Sequence, residues 1–469
     1  MDFPLATILI PAMDMLRPPP DDALRRVVHD EVHARPMPLI TLPARVLYVA
    51  VRHAADNSRE QELAHLQTLP GQSGLTQADL ASSFARMRLS AASSGQASQV
   101  LQWERHTEFT RYVLLLPLPA GCCAGLDPQL PGIDPEIRRW LAGIPGQTIA
   151  AIDLWMLHDE LDPAQTEDRM ERARRWFAAM HGDPQQPVRL FGAQLGQGHS
   201  WGLSDFQIGP DGFERMLVLA PQATSDERAG RIALRLLELE TYRLMALRGL
   251  PTAKQLGPFL HQAEQELVTI TGQMKQDEAI EEELLDRLIA LAASVERATA
   301  EHAWRYSASR AYFALVRARM DELREKPIRG TQSMRDFIQR RTSPAMATVA
   351  ASEERLSALS ERISRSSGLL RTRIDISAEQ QSQQLLHKLT RGQELQTRLQ
   401  TTVEGLSIAA ISYYMVSLVL YAAKAAKGAG LLPWQPETVA GVSIPFVLLL
   451  VWWLTRRIHH KLSHDIGGH

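Results

Sequence analysis

Apolar positions first cluster in short strand-like runs and later follow the three- and four-residue steps of helices. Residues 45–51, 84–89, 99–104, 109–116, 148–155 and 188–194 are rich in β-branched, aromatic and aliphatic side chains and predict strands. Short helices are predicted over 22–33 and 58–69. The few residues between 104 and 109 predict a hairpin of adjacent strands. A second turn is written at Pro210-Asp211-Gly212, between the runs 204–208 and 213–219, because glycine takes the positive φ that such a turn needs. Several strands with few helices between them predict an α+β sheet rather than repeated βαβ units.

After Pro221 the period changes. Residues 225–247 form an amphipathic helix with Ile232, Leu236, Leu239, Leu244 and Leu247 near helical spacing, stopped at Gly249-Leu250-Pro251. Helical pattern resumes near Gly257 and continues to Arg324, and Pro327 and Gly330 make a turn. Ser343-Pro344 reads as the N-cap and first residue of the next helix. From there to Gly405 the chain has no further proline, and Leu356, Leu359, Ile363, Leu370 and Ile374 make a coiled-coil-like seam. This helix is expected to run on as a stalk.

Two uncharged runs follow. Residues 405–423 (GLSIAAISYYMVSLVLYAA) would span about 28 Å as a helix, close to the ~30 Å of a bilayer's hydrocarbon core. Residues 438–455 (TVAGVSIPFVLLLVWWLT) end on Trp452 and Trp453 beside Arg456 and Arg457, as an interface would. The link at 424–437 holds Gly428, Gly430, Pro433 and Pro436, so an antiparallel transmembrane hairpin is predicted. Lys388, Arg391 and Arg398 precede it and Arg456, Arg457 and Lys461 follow it, whereas the link carries Lys424 and Lys427. That bias places both termini in the cytoplasm. Met1–Met13 is interrupted by Pro4 and Pro11, has Asp2 in place of a basic start and is not secretory in pattern. The expected layout is an α+β soluble head (1–221), a helical stalk region (222–404), a transmembrane hairpin (405–455) and a basic, His-rich cytoplasmic tail (456–469).

Composition narrows this little. Of the 469 residues, 45% are hydrophobic and 22% charged, which is ordinary globular usage. A net charge of −2 with no dominant basic stripe gives no case for nucleic acid. The two cysteines, Cys122 and Cys123, are adjacent and make neither a disulfide framework nor a metal knuckle.

Two segments concentrate chemistry. In Glu31-Val32-His33-Ala34-Arg35-Pro36, an acid, an imidazole and an anion binder stand together, and His29 and His33 share a helix face. A zinc-protease motif would place Glu directly after the first histidine; here Asp30 is there, and the bland reading is a helix end with Glu31 paired to Arg35. In Trp103-Glu104-Arg105-His106-Thr107-Glu108-Phe109, a strand would put Glu104, His106 and Glu108 on one face. Two carboxylates beside a histidine suit a divalent cation or acid/base work, or else an ion-pair knot with Arg105, Arg111 or Arg35. The glycines of 191–202 lack the lysine of a phosphate loop and predict an eased strand bend.

These two segments, with Leu237-Glu238-Leu239-Glu240-Thr241-Tyr242-Arg243 and the run Glu404 to Tyr414, resemble a bacterial family of membrane-anchored proteins carrying domain of unknown function 3422. The resemblance covers nearly the whole chain. It implies multi-pass attachment to the inner membrane through the C-terminal helices. It weights Glu31, His33, Arg35, Trp103, Glu104, His106 and Glu108 as hallmark positions without assigning roles, cofactor or metal. The leading expectation is a non-enzymatic membrane-tethered scaffold or regulator that meets the lipid bilayer, a protein partner through its head, and further copies of itself. One alternative is an oligomeric ion conduit with the layout of CorA-like channels, although Tyr421-Ala422-Ala423-Lys424 stands where their Gly-Met-Asn signature would be. Another is a metal-dependent enzyme using Glu31, His33, Glu104, His106 and Glu108.

Overall fold

The computed structural model describes residues 19–26, 28–29, 37–53, 59–71, 83–89, 98–119, 122, 133–159, 165–181, 188–274, 281–431 and 433–465. In chain order these form β1 (Ala44–Arg52), α1 (Arg59–Gln67), β2 (Phe84–Leu89), β3 (Gln99–Arg105), β4 (Phe109–Pro117), α2 (Pro135–Ala142) and β5 (Gln147–His158). Then come α3 (Thr166–Met180), β6 (Phe191–Leu195), β7 (Ser200–Ile208), β8 (Glu214–Ala220), α4 (Asp226–Leu247) and α5 (Gly249–Gln273). The chain continues through α6 (Glu281–Leu323), β9 (Lys326–Pro327), α7 (Met334–Gly428) and α8 (Pro436–Asp465).

The strands form one mixed sheet in the order β2-β3-β4-β1-β5-β8-β7-β6-β9. Its pairings are antiparallel except β5 with β8. A parallel pair needs a crossover, and here α3 and the β6–β7 hairpin lie between the two strands in sequence. The 105–108 hairpin and the Pro210-Asp211-Gly212 turn are both present, the latter with Gly212 at φ 85°. The glycine-rich stretch is a hairpin turn in which Gly196 and Gly198 have φ of 61° and 104°.

Strand β4 is buried over most of its length because helices cover both faces of the sheet. One face packs Val46, Tyr48, Phe109, Val113 and Ile152 against α4, Val316 and Met320 of α6, and Met334 and Ile338 of α7. The other face carries two separate cores. Leu47, Leu101, Trp103 and Tyr112 meet α1 and α2, and Trp155, Trp201 and Leu217 meet α3. Helix α2 begins where Asp134 accepts from the Glu136 amide and Pro135 occupies the first turn.

Helix α7 starts earlier than Ser343-Pro344 suggests. Ser333 caps it by accepting from the Asp336 amide, and Pro344 lies within the helix. Burial of Met334 and Ile338 outweighs the one backbone bond that the proline removes.

The described residues divide into two compact units. The first takes in residues up to Thr269 together with Leu288–Ser364, so it holds the sheet, α4 and most of α6. The second comprises Ile270–Arg287 and the chain from Arg365 onward. In that unit Ile270, Leu284 and Leu370 are buried, and Arg373 joins Glu281 at 2.6 Å and the carbonyl of Met274. Helix α7 ends in a Schellman motif: the Leu431 amide donates to Ala426 and the Gly430 amide to Lys427, with Gly430 at φ 71°. The apolar stretches of α7 and α8 are long enough to cross a membrane, and 11% and 17% of their residues are buried within the chain. A core helix of a soluble protein would be mostly buried.

Candidate functional site

The site is built on the β3–β4 hairpin. Alternation along paired strands sends Trp103 to one face of the sheet and Glu104 to the other. Trp103 is fully buried in the core beneath α1 and α2, so it fills space. Glu104 lies opposite Arg111 in the ladder and accepts from its Nε at 2.7 Å. The same guanidinium donates to Glu238 of α4 at 3.1 Å. Glu238 then accepts from Arg319 of α6 at 2.6 Å, and Arg319 and Arg235 both reach Glu322. This relay ties the hairpin to two helices. Its carboxylates hold the Arg111 guanidinium well above its ordinary value, overcoming the opposing effect of burial.

His106 and Glu108 leave the strand. The His106 amide closes the turn onto the Phe109 carbonyl, its ring stacks on Phe109, and its Nε2 lies 3.2 Å from Glu104. Glu108 receives Arg305 of α6 at 2.7 and 3.3 Å. The expected strand placement is corrected, because β3 ends at Arg105 and His106 and Glu108 lie in the turn; His106 still sits beside Glu104, and Glu108 pairs with α6, which covers that same face.

On the opposite face, Glu62 of α1 is fully buried. Thr110 donates to it at 3.1 Å, and Arg105 and His53 each lie 3.7 Å away. Burial raises the Glu62 carboxyl, and Arg105 offsets this in part. Burial, then Arg105, lowers the His53 imidazole. Sequence reading missed Glu62. The signal was its place four and seven positions before the buried Leu66 and Leu69, but polar residues on such a short helix ordinarily face water.

A cavity of about 510 Å³ opens at the hairpin turn. Arg105, His106, Phe109, Tyr242 and Tyr312 line it. Burial and the Glu238 carboxylate push the Tyr242 phenol up to about 12. Thus two of the sequence motifs meet: Trp103–Phe109 supplies one wall, and Leu237–Arg243 supplies Tyr242 and the Glu238 brace. Glu31, His33 and Arg35 lie outside the described residues, as does Cys123, while His29 is exposed. Among the described residues, no three His, Cys, Asp or Glu side chains form a group that could hold a metal ion.

A second buried polar group sits farther along the sheet. Asp205 and His181 approach at 2.5 Å, and Arg243 pairs with Glu240. Glu214 is hydrogen-bonded to Glu240; burial, then Glu240, raises it well above the ordinary carboxylate value, against the pull of Arg243. A carboxyl raised on folding contributes stability that is fully present below its unfolded pKa and is lost as pH rises through the folded one. Glu214→Gln keeps the neutral shape without the titration. The variant is expected to gain on the wild type in melting temperature as pH rises from about 5 to 9. A difference independent of pH would contradict this account.

The family model described as "Protein of unknown function (DUF3422)" matches residues 20–462. No curated protein and no solved structure matches the chain.

Proposed function

The chain belongs to the DUF3422 family of proteins of unknown function, and from that membership we propose that it is a membrane-tethered scaffold or regulatory protein. Its C-terminal helices form a hairpin in a bacterial inner membrane, and both termini face the cytoplasm. The observation that carries this reading is helix α7. Its first turn packs Met334 and Ile338 into the sheet core, and the same unbroken helix ends in an apolar stretch little buried by the chain itself. A helix that is apolar all round needs an apolar solvent.

The hallmark hairpin supports binding rather than chemistry. Glu104 is engaged by Arg111 and Glu108 by Arg305, and such pairing fixes both carboxylates in place. The relay instead fixes the shape of the cavity wall that a partner or ligand would meet.

Membranes from cells making the full chain provide the test. After an alkaline carbonate wash, the protein is expected to stay in the pellet. Ser412→Arg with Leu449→Arg puts a charge into each run, at about 2.5–3.5 kcal/mol apiece on insertion scales, and should shift it to the supernatant. Wild-type protein released by the wash would end the anchoring proposal. Failure to capture any specific partner from cross-linked membranes, with the protein folded, would count against the scaffold role.

A further inference from the structure

Before it reaches the apolar stretch, α7 runs from about Asp375 to Glu404 exposed on nearly every side. A lone helix in water should be polar all round. This one is not. Leu385, Leu389, Leu399, Val403 and Leu406 are 59–68% exposed. With Gly392 and Gln396 they step by four and three residues in alternation, which is the inner seam of a heptad repeat. Leu386 and Leu395 flank that seam and are equally exposed. The charged residues of 385–406 fall elsewhere. Arg391, Glu394, Arg398 and Glu404 occupy the outer heptad positions, and Lys388 alone borders the seam.

We propose that this stripe is a self-association surface, occupied by the same stripe of a second copy of this chain in a parallel, in-register pair. Two arguments select that occupant. The seam and its borders are nearly free of charge, so the face meets its own image without repulsion, whereas a partner chosen by charge would find nothing to pair with. The stripe also runs directly into the apolar stretch at Gly405. Two copies anchored in one bilayer stand parallel with equal residues at equal depth, so Leu385 meets Leu385 and Leu399 meets Leu399. The paired seam is about 33 Å long. Gln396 falls at an inner position, where a polar side chain that bonds its twin fixes register. The inference rests on the membrane-anchored reading, because the bilayer sets the orientation.

The test uses the full chain in native membranes with Cys122 and Cys123 replaced by serine. Single cysteines are placed on the seam (Leu385→Cys, Leu399→Cys, Val403→Cys) and on the outer face (Thr390→Cys, Thr397→Cys, Thr401→Cys), then oxidised with copper–phenanthroline. The expected result is a disulfide-linked species of twice the monomer mass at all three seam positions and its loss at the outer ones. Adding Leu399→Lys, which opposes like charges across the pair, should lower linking through position 385 about tenfold or more. Equal linking on both faces, linking at one seam position alone as an antiparallel pair would give, or an adduct of another mass would each overturn the proposal. If those results come from protein that resists the carbonate wash, the anchoring reading stands and the pairing falls. If the protein washes off, the anchoring reading falls and takes the parallel pairing with it.

Discussion

Replacing Arg111 by alanine is expected to cost about 3–5 kcal/mol of stability, because it strands two buried carboxylates. Glu104 loses its ladder partner and Glu238 loses one of two guanidinium donors. Glu104 is nearly inaccessible to solvent, so water cannot replace what is lost. The loss should be read as a lowered thermal midpoint by near-ultraviolet circular dichroism in nonionic detergent. A rescue experiment separates charge from packing. Arg111→Met combined with Glu104→Gln and Glu238→Gln removes the ions together, and buried ion groups replaced in this way are often no less stable. The combined variant should therefore recover much of the loss. If Arg111→Ala alone costs under about 1 kcal/mol, the relay is no more than a surface ion pair, and its role in shaping the cavity wall falls with it.

Trp103→Ala should be comparably damaging, at about 3–5 kcal/mol, for a different reason. The indole is fully buried in one core with Leu101, Tyr112, Leu114 and Trp140, and the cover of α1 and α2 limits collapse into the space it leaves. Trp103→Phe keeps most of the apolar contact and should cost clearly less. An alanine variant as stable as the phenylalanine one would mean that the site refills freely. Neither substitution at 103 should disturb the Glu104–Arg111 pair, since the side chain points to the opposite face of the sheet from Glu104. The two experiments together divide the hallmark hairpin into a packing residue and a charge relay. The sequence motif by itself presents them as one cluster.

Local patterns reached far into this fold. Short runs rich in β-branched, aromatic and aliphatic residues located most strands of the mixed sheet, because a strand covered on both faces reads as a near-continuous apolar run. The hairpin between 104 and 109 and the turn at Gly212 were also legible, since their geometry depends on a few adjacent residues. So were the two long apolar runs, whose length and composition suit a membrane crossing. The ordered motifs were specific enough to indicate the family.

What the sequence could not supply was the partner of each buried charge. Arg111 stands 127 residues from Glu238, and Arg305 stands 197 from Glu108. No local period encodes a contact at that separation; it exists only once β4, α4 and α6 are stacked on one face of the sheet. Glu62 is the plainest case, an acid on a short helix that looks solvent-facing until Thr110 and Arg105 arrive from another strand pair. The start of α7 is another, where burial of Met334 and Ile338 overrides the local proline signal. Periodicity, a short-range property, determined the elements and the apolar runs. The tertiary structure alone decided which charges neutralise which, because desolvation makes an unpaired buried ion costly and only the packed layers bring its partner within reach.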